Sequence, residues 1–277
     1  FLDVIILPFS WKYIYWRSFF LNTLYFDGFT NDLDWVYCPK NDYLPLKNTR
    51  YISTIHGAHE LDPEYLNPKG FLEYFLKIRS KIRYRQILAQ STKILTVSEF
   101  LKKQIIKWFN INNDKIYIVG NGVEDEFYEI SDKCSYNPNA PLISIGGLNF
   151  MDGGDRVIEF AEHLLKKGIQ KKILIAGDQH DDVFLEKAIT YKNIKILGYL
   201  QKNELANKIS ESSMLLYLTR YETFGIAAAE AMAVGIPVIT TNSTAVPEIV
   251  SCAGIYIQTE KMNGEYCSSL IDKNYES

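Results

Sequence analysis

Apolar positions fall into two kinds of run along the chain. Short β-branched runs, apolar on both faces, alternate with longer runs of helical period. The short runs are VIILPF (4–9), WVYC (35–38), YISTIH (51–56), KILTVS (93–98) and IYIVGN (116–121). A second series follows: LISIGG (142–147), KILIAGD (172–178), IKILGY (194–199), MLLYLT (214–219), PVITT (237–241) and GIYI (254–257). Runs without alternation suit strands covered on both sides by helices. Helical patterns are expected near 71–90, 99–110, 155–168, 202–210, 226–234 and 244–250. Repeated strand–helix–strand order predicts α/β layers around parallel sheets.

The segment SDKCSYNPNAP (131–141) is rich in Asn, Pro and Ser and has no apolar period, which marks a linker. It divides the chain into two doubly wound domains, 1–133 and 141–277, joined by 134–140. Ligands of such sheets sit beyond the carboxyl ends of the strands, so two facing sheets would hold a site in the cleft between them.

Composition narrows the class. The 277 residues are 47% hydrophobic with a net charge of −3. No acidic or basic block is present, so nucleic acid is not an expected partner. Cys38, Cys134, Cys252 and Cys267 show no paired or zinc-like spacing, and they read as free thiols of a reducing cytoplasm with no metal site. No apolar run reaches the length of about 18 to 20 residues that a membrane helix needs.

The stretch RYETFGIAAAEAMAVGIPV (220–238) carries the chemistry. Gly225 lets the backbone approach a ligand, and the first amides of the following helix present the positive end of a dipole. Glu222 precedes that helix and Glu230 lies in its second turn. A fully helical span would separate them by about 12 Å. That suits the two ends of one extended ligand better than a hydrolytic pair, whose members lie roughly 5 to 9.5 Å apart. Alanines make the helix slim, and Gly235 with Pro237 beyond it predicts a left-handed C-cap. The residues alone leave two readings open: an ordinary buried helix with solvated glutamates, or a grip on a polar ligand.

YETFGIAAAEAMAVGIPVI resembles the E-x7-E segment of family-four retaining glycosyltransferases of the GT-B fold. TIHG (54–57), TVSEF (96–100), VGNGVE (119–124), ILGYL (196–200) and VPEIV (246–250) follow the family's order. The resemblance covers roughly residues 35–258. It implies that Glu222 contacts donor-sugar hydroxyls and that Glu230 contacts the ribose diol. It places the backbone of Phe224, Gly225 and Ile226 against the diphosphate or sugar, and Tyr199 and Leu200 beside the base. It places His56 near the donor sugar or the acceptor. The implied donor is a nucleotide-diphosphate sugar, with no further cofactor. The implied acceptor is a sugar or a lipid-linked hydroxyl, and the implied location is cytoplasmic, up to the inner face of the membrane. The helix with Lys77, Arg79, Lys81, Arg83 and Arg85, together with FSWKYIYWRSFF (9–20), could meet such a surface, but a solvated helix face beside a core-facing stripe is the expected reading of these charges.

Two departures stand out. Gly147 and Asp152 occupy the positions where the family carries an arginine and a lysine that hold the diphosphate. Losing both cations should weaken a site that stabilises a leaving phosphate, and Arg156 is expected to face solvent. The family's first strand and glycine-rich loop, and its closing helix, are expected to be missing. The leading expectation is therefore a retaining hexosyltransferase. The alternatives are a catalytically silent scaffold subunit or another GT-B enzyme, a phosphorylase or epimerase.

Overall fold

A computed structural model describes residues 30–257 except 31, 44, 47, 59–60, 62–70, 133 and 179–180, with backbone alone for 71–73. The expected strand at 4–9, the aromatic segment 9–20, His59, His180, Cys267 and the C-terminal tail lie outside the described residues. Two compact units form. Among the described residues the first holds 30–97 and 101–119, and the second holds 98–100 and 120–257.

The first unit carries a four-stranded sheet in the order β1-β2-β3-β4. These strands are β1 (Trp35–Cys38), β2 (Arg50–Ile55), β3 (Lys93–Thr96) and β4 (Ile116–Ile118), all paired in parallel. Helix α1 (Phe71–Gln90) crosses from β2 to β3, and α2 (Glu99–Phe109) from β3 to β4. Tyr84, Ile87 and Leu88 of α1 are buried, as are Leu101 and Ile105 of α2.

The second unit contains α3 (Asp125–Ser131), β5 (Leu142–Ile145), α4 (Gly154–Lys166), β6 (Ile173–Ala176), α5 (Asp182–Ala188) and β7 (Ile194–Gly198). After these come α6 (Lys202–Ser210), β8 (Met214–Tyr217), α7 (Ile226–Val234), β9 (Val238–Thr241), α8 (Val246–Val250) and β10 (Gly254–Ile257). Its six parallel strands run β10-β9-β8-β5-β6-β7. The order turns back between β5 and β8, so the chain winds outward in both directions from the centre. One apolar cluster gathers Leu215, Val238, Ala228, Ala231 and Leu205 on the α6–α7 face. The other gathers Ile173, Ile175, Val157, Ile158 and Phe184 on the α4–α5 face. Every residue of β6 is buried, as expected for a strand covered on both sides.

Several strands stop short of the apolar runs that predict them, although β1 and β10 match theirs. Residues 142–147 read as one run, yet β5 ends at Ile145, because Gly146 and Gly147 take φ of 120° and 93° and leave extended geometry. The chain thereby turns across the sheet end instead of running past it. Helices α3 and α5 were not expected. Each has seven residues, too few to display two turns of apolar period. The division between units falls at Val119 and Gly120, earlier than the expected linker, because α3 packs on α6 and α7.

Candidate functional site

Two loops meet beyond the strand ends of the second unit. One follows β5 (146–153), and the other follows β8 (218–225). Arg220 joins them. It is buried, forks onto both oxygens of Asp155 at 2.6 and 2.5 Å, and donates to the Phe150 carbonyl at 2.7 Å. Its guanidinium also stacks 3.8 Å from the Phe150 ring centre. Thr219 Oγ1 donates to the Met151 carbonyl at 3.0 Å. Arg156 donates to the Leu218 and Thr219 carbonyls at 3.0 and 3.4 Å, so it does not face solvent as expected. Both arginines near the loops therefore hold backbone and Asp155.

Helix α7 starts from Gly225, whose φ of 97° and ψ of 54° lie in the left-handed region, a conformation that costs a residue with a side chain. Ala228 and Ala229 donate to the Gly225 carbonyl at 3.1 and 3.2 Å, and the amides of Ile226 and Ala227 precede the first helical acceptor. Ala227, Ala228, Ala231 and Val234 are buried, and their small volume lets the helix approach the sheet. Gly235 ends the helix with φ of 95°, the left-handed cap that the sequence predicts.

A cavity of about 350 Å³ lies at the carboxyl ends of β5, β6 and β7. Its wall includes Gly146, Asp152, Asp178, Tyr199, Leu200 and Lys202, with Ile226, Ala227 and Glu230 from α7. The expected donor residues Tyr199, Leu200, Ile226 and Glu230 thus share one wall. Asp178, just beyond β6, also borders the cavity. Gly147, Phe224 and Gly225 are not among its lining. Phe224 is buried, and Gly225 sits against Tyr217, whose Cε1 lies 3.5 Å from where a Cβ would stand.

Glu230 is buried, and its Oε1 accepts from Lys202 Nζ at 2.7 Å. Burial raises the Glu230 carboxyl above its ordinary value, and the hydrogen bond and charge of Lys202 oppose that. Burial works against the Lys202 charge, but Glu230 outweighs it and the ammonium is held more tightly than usual. Glu124 lies 3.8 Å from the same nitrogen. Among the described residues of the wall Lys202 is the one cation, beside Asp152, Asp178 and Glu230. Sequence reasoning missed it. It is the first residue of α6, whose start shows a readable signal: the Glu204 carboxylate accepts from the Gln201 amide at 3.1 Å.

Glu222 stands apart from this wall. Its carboxylate accepts from the Tyr217 hydroxyl, and its amide donates to Thr244 Oγ1 at 2.9 Å. Burial pushes its carboxyl up to about 7; the Asp152 charge adds to that, while hydrogen bonds from Tyr217 and Thr223 oppose it. Asp152 folds back over the β5 turn. Asn149 Nδ2 donates to its carboxylate at 2.5 Å, and a Cβ on Gly146 would meet that carboxylate at 2.9 Å. Burial raises the Asp152 carboxyl, and the Asn149 hydrogen bond opposes the rise. His56 belongs to the first unit. It is exposed, and its Nε2 lies 2.8 Å from the Pro39 carbonyl, an ordinary backbone partner.

The family model for Glycosyl transferases group 1 matches residues 129–263, and that for Glycosyltransferase Family 4 matches residues 5–127. The chain belongs to the group 1, family 4 glycosyltransferases. Among curated relatives, the O-antigen chain mannosyltransferase B of Escherichia coli is 26% identical over 237 residues, 80% of this chain and 61% of its own length. The chain spans 45 to 61% of the length of the first three curated relatives it matches. Among solved structures, a glycosyltransferase from Rickettsia africae aligns with a TM-score of 0.62 at 18% identity, covering 99% of this chain and 74% of that one. An Anabaena protein, HepE, solved with UDP and glucose, aligns at 0.59 with 14% identity, covering 83% and 62%. These likenesses identify the fold as that of GT-B glycosyltransferases.

Proposed function

We propose that this family member is a retaining hexosyltransferase that takes its sugar from a nucleotide-diphosphate donor and passes it to an acceptor hydroxyl. One observation carries the reading. The cavity of the second unit has the start of α7 on its wall, and buried Glu230, paired with the exposed Lys202 of α6, lies one turn further along. Helix-start amides suit phosphate oxygens. A carboxylate acceptor beside an ammonium donor suits the two hydroxyls of a ribose. Tyr199 and Leu200 would then flank the base. The α7 entry and Gly147 would approach the diphosphate and sugar, and Glu222 the sugar hydroxyls. His56 is the candidate for the sugar or acceptor end. HepE was also solved with UDP-glucose, a donor of the proposed class. The O-antigen relative is named a mannosyltransferase, which supports a hexose.

Positioning and leaving-group stabilisation supply the rate in this reading, with no covalent nucleophile and no cofactor beyond the donor. The acceptor is a sugar or a lipid-linked hydroxyl, and the setting is the cytoplasm, at or near the inner face of the membrane. A second reading has its own support: a silent scaffold built on the same fold. Asp152 places a carboxylate in the β5 loop, and Arg156 and Arg220 are both engaged elsewhere.

Calorimetry with uridine, guanosine and adenosine diphosphates separates the two. The enzyme reading expects one of them to bind, and expects Glu230→Ala to weaken that binding about tenfold, the loss of a charged hydrogen bond. Absence of any binding to the folded chain overturns it in favour of the scaffold. Release of nucleoside diphosphate from the matching sugar donor then tests turnover.

A further inference from the structure

Glu222 is held at its carboxylate, its amide and its carbonyl. The carboxylate accepts from the hydroxyl of Tyr217, the last residue of β8, and from the Thr223 amide. Tyr217 belongs to the apolar cluster with Leu215, Ala228 and Val238, and its ring lies against Gly225 at the entry of α7. A phenylalanine would fill that space equally well; the hydroxyl serves Glu222. The Glu222 amide donates to Thr244 Oγ1 at 2.9 Å, and its carbonyl accepts from the Ala245 amide at 3.3 Å. Thr244 takes a φ of 53°. Branching at Cβ makes that left-handed conformation rare for threonine, and it persists only where surrounding contacts impose it. Glycine would sit there without strain. What glycine lacks is the hydroxyl, and that hydroxyl accepts from Glu222.

We infer that Tyr217 and Thr244 are positioning residues for Glu222: their hydroxyls hold its carboxylate and its backbone in the orientation that receives the hydroxyls of the donor sugar. The inference rests on the reading of Glu222 as the sugar contact. A carboxylate has about four lone-pair sites, and two protein donors leave the others for the sugar. An untethered glutamate would rotate about its side-chain bonds and lose that freedom only on binding, which weakens the complex. Tyr217 also favours the charged form, the stronger acceptor, against burial and the Asp152 charge. Among the described residues, the titratable groups around the pair are Asp152 of the β5 loop, which acts on both, and Glu230 of α7, which acts on Tyr217. Burial and the Glu222 charge push the Tyr217 hydroxyl well above its ordinary value, so it keeps its proton.

Calorimetry of the full chain tests it, comparing uridine diphosphate with uridine diphosphate glucose and guanosine diphosphate with guanosine diphosphate mannose, from about pH 5 to about pH 9. The ratio of sugar-nucleotide to nucleoside diphosphate affinity reads the sugar contact, with Glu222→Gln as the baseline. Above that baseline the ratio should rise with pH as Glu222 loses its proton. Tyr217→Phe should shift the rise upward by about one pH unit, the worth of one hydrogen bond to a charged group, and so lower the ratio about fivefold near pH 7. Thr244→Gly should lower it about threefold at every pH, with the melting temperature held or raised, and Thr244→Ser should restore it. Nucleoside diphosphate affinity should not change in these variants. A purely structural role predicts instead that melting temperature and both affinities fall together with no shift of the pH profile, and that result overturns the inference. So does a full ratio in the folded Tyr217→Phe or Thr244→Gly variant while Glu222→Gln lowers it. If Glu222→Gln leaves the ratio unchanged, or none of the four compounds binds, the reading of Glu222 fails and the inference falls with it.

Discussion

Replacing Glu222 by Gln removes one charge and keeps an acceptor for the Tyr217 hydroxyl. The Glu222 carboxyl is pushed up to about 7 from an ordinary 4.5, chiefly by burial. The folded chain therefore holds that proton more tightly than the unfolded chain does. Between 4.5 and about 7 the native state binds more protons, so stability falls as pH rises through this window, and the loss is complete above it. The interval from 4.5 to about 7 corresponds to about 3 kcal/mol. Water reaching this half-buried group reduces that to roughly 1–2 kcal/mol. The variant lacks the penalty, and Asp152, relieved of a neighbouring charge, loses part of its own. Urea unfolding of both proteins at about pH 5 and about pH 8 measures the difference: the unaltered chain should lose roughly 1–2 kcal/mol more than Glu222→Gln on going to the higher pH. Parallel pH profiles would refute the buried, proton-holding carboxyl.

Two further substitutions probe the same region. Arg220→Leu leaves Asp155 without its fork and frees the β5 loop from the β8 loop, at a cost of about 3–5 kcal/mol in stability by thermal or urea unfolding, whereas a surface arginine would cost almost nothing. Lys202→Met strips the buried Glu230 of its ammonium, so the carboxyl rises further; nucleoside diphosphate binding should weaken and become weaker still as pH is lowered toward 6, while Lys202→Arg keeps a flat profile. Asp152, Asp178, Glu124 and Tyr199 also face this pair, so the readout is the difference between the two Lys202 variants across pH by calorimetry.

The sequence by itself determined the elements. Unbroken apolar runs such as ILIA of β6 can be buried only between two helical layers, which forces an α/β sandwich. The spacing of Gly225, the alanines and Gly235 set both ends of α7, because glycine takes the left-handed caps and alanine alone allows close packing on the sheet. The pattern could not show which side chains converge. Lys202 and Glu230 are 28 positions apart, and only the packing of α6 beside α7 on one face of the sheet brings their charges to 2.7 Å. Arg220 and Asp155 meet across 65 positions because β5 pairs with β8 and their following loops lie side by side. The tertiary structure also decided that Glu222 is gripped by Tyr217 rather than solvated. Charge pairing and desolvation depend on distance through space, and a chain read in order carries only distance along itself.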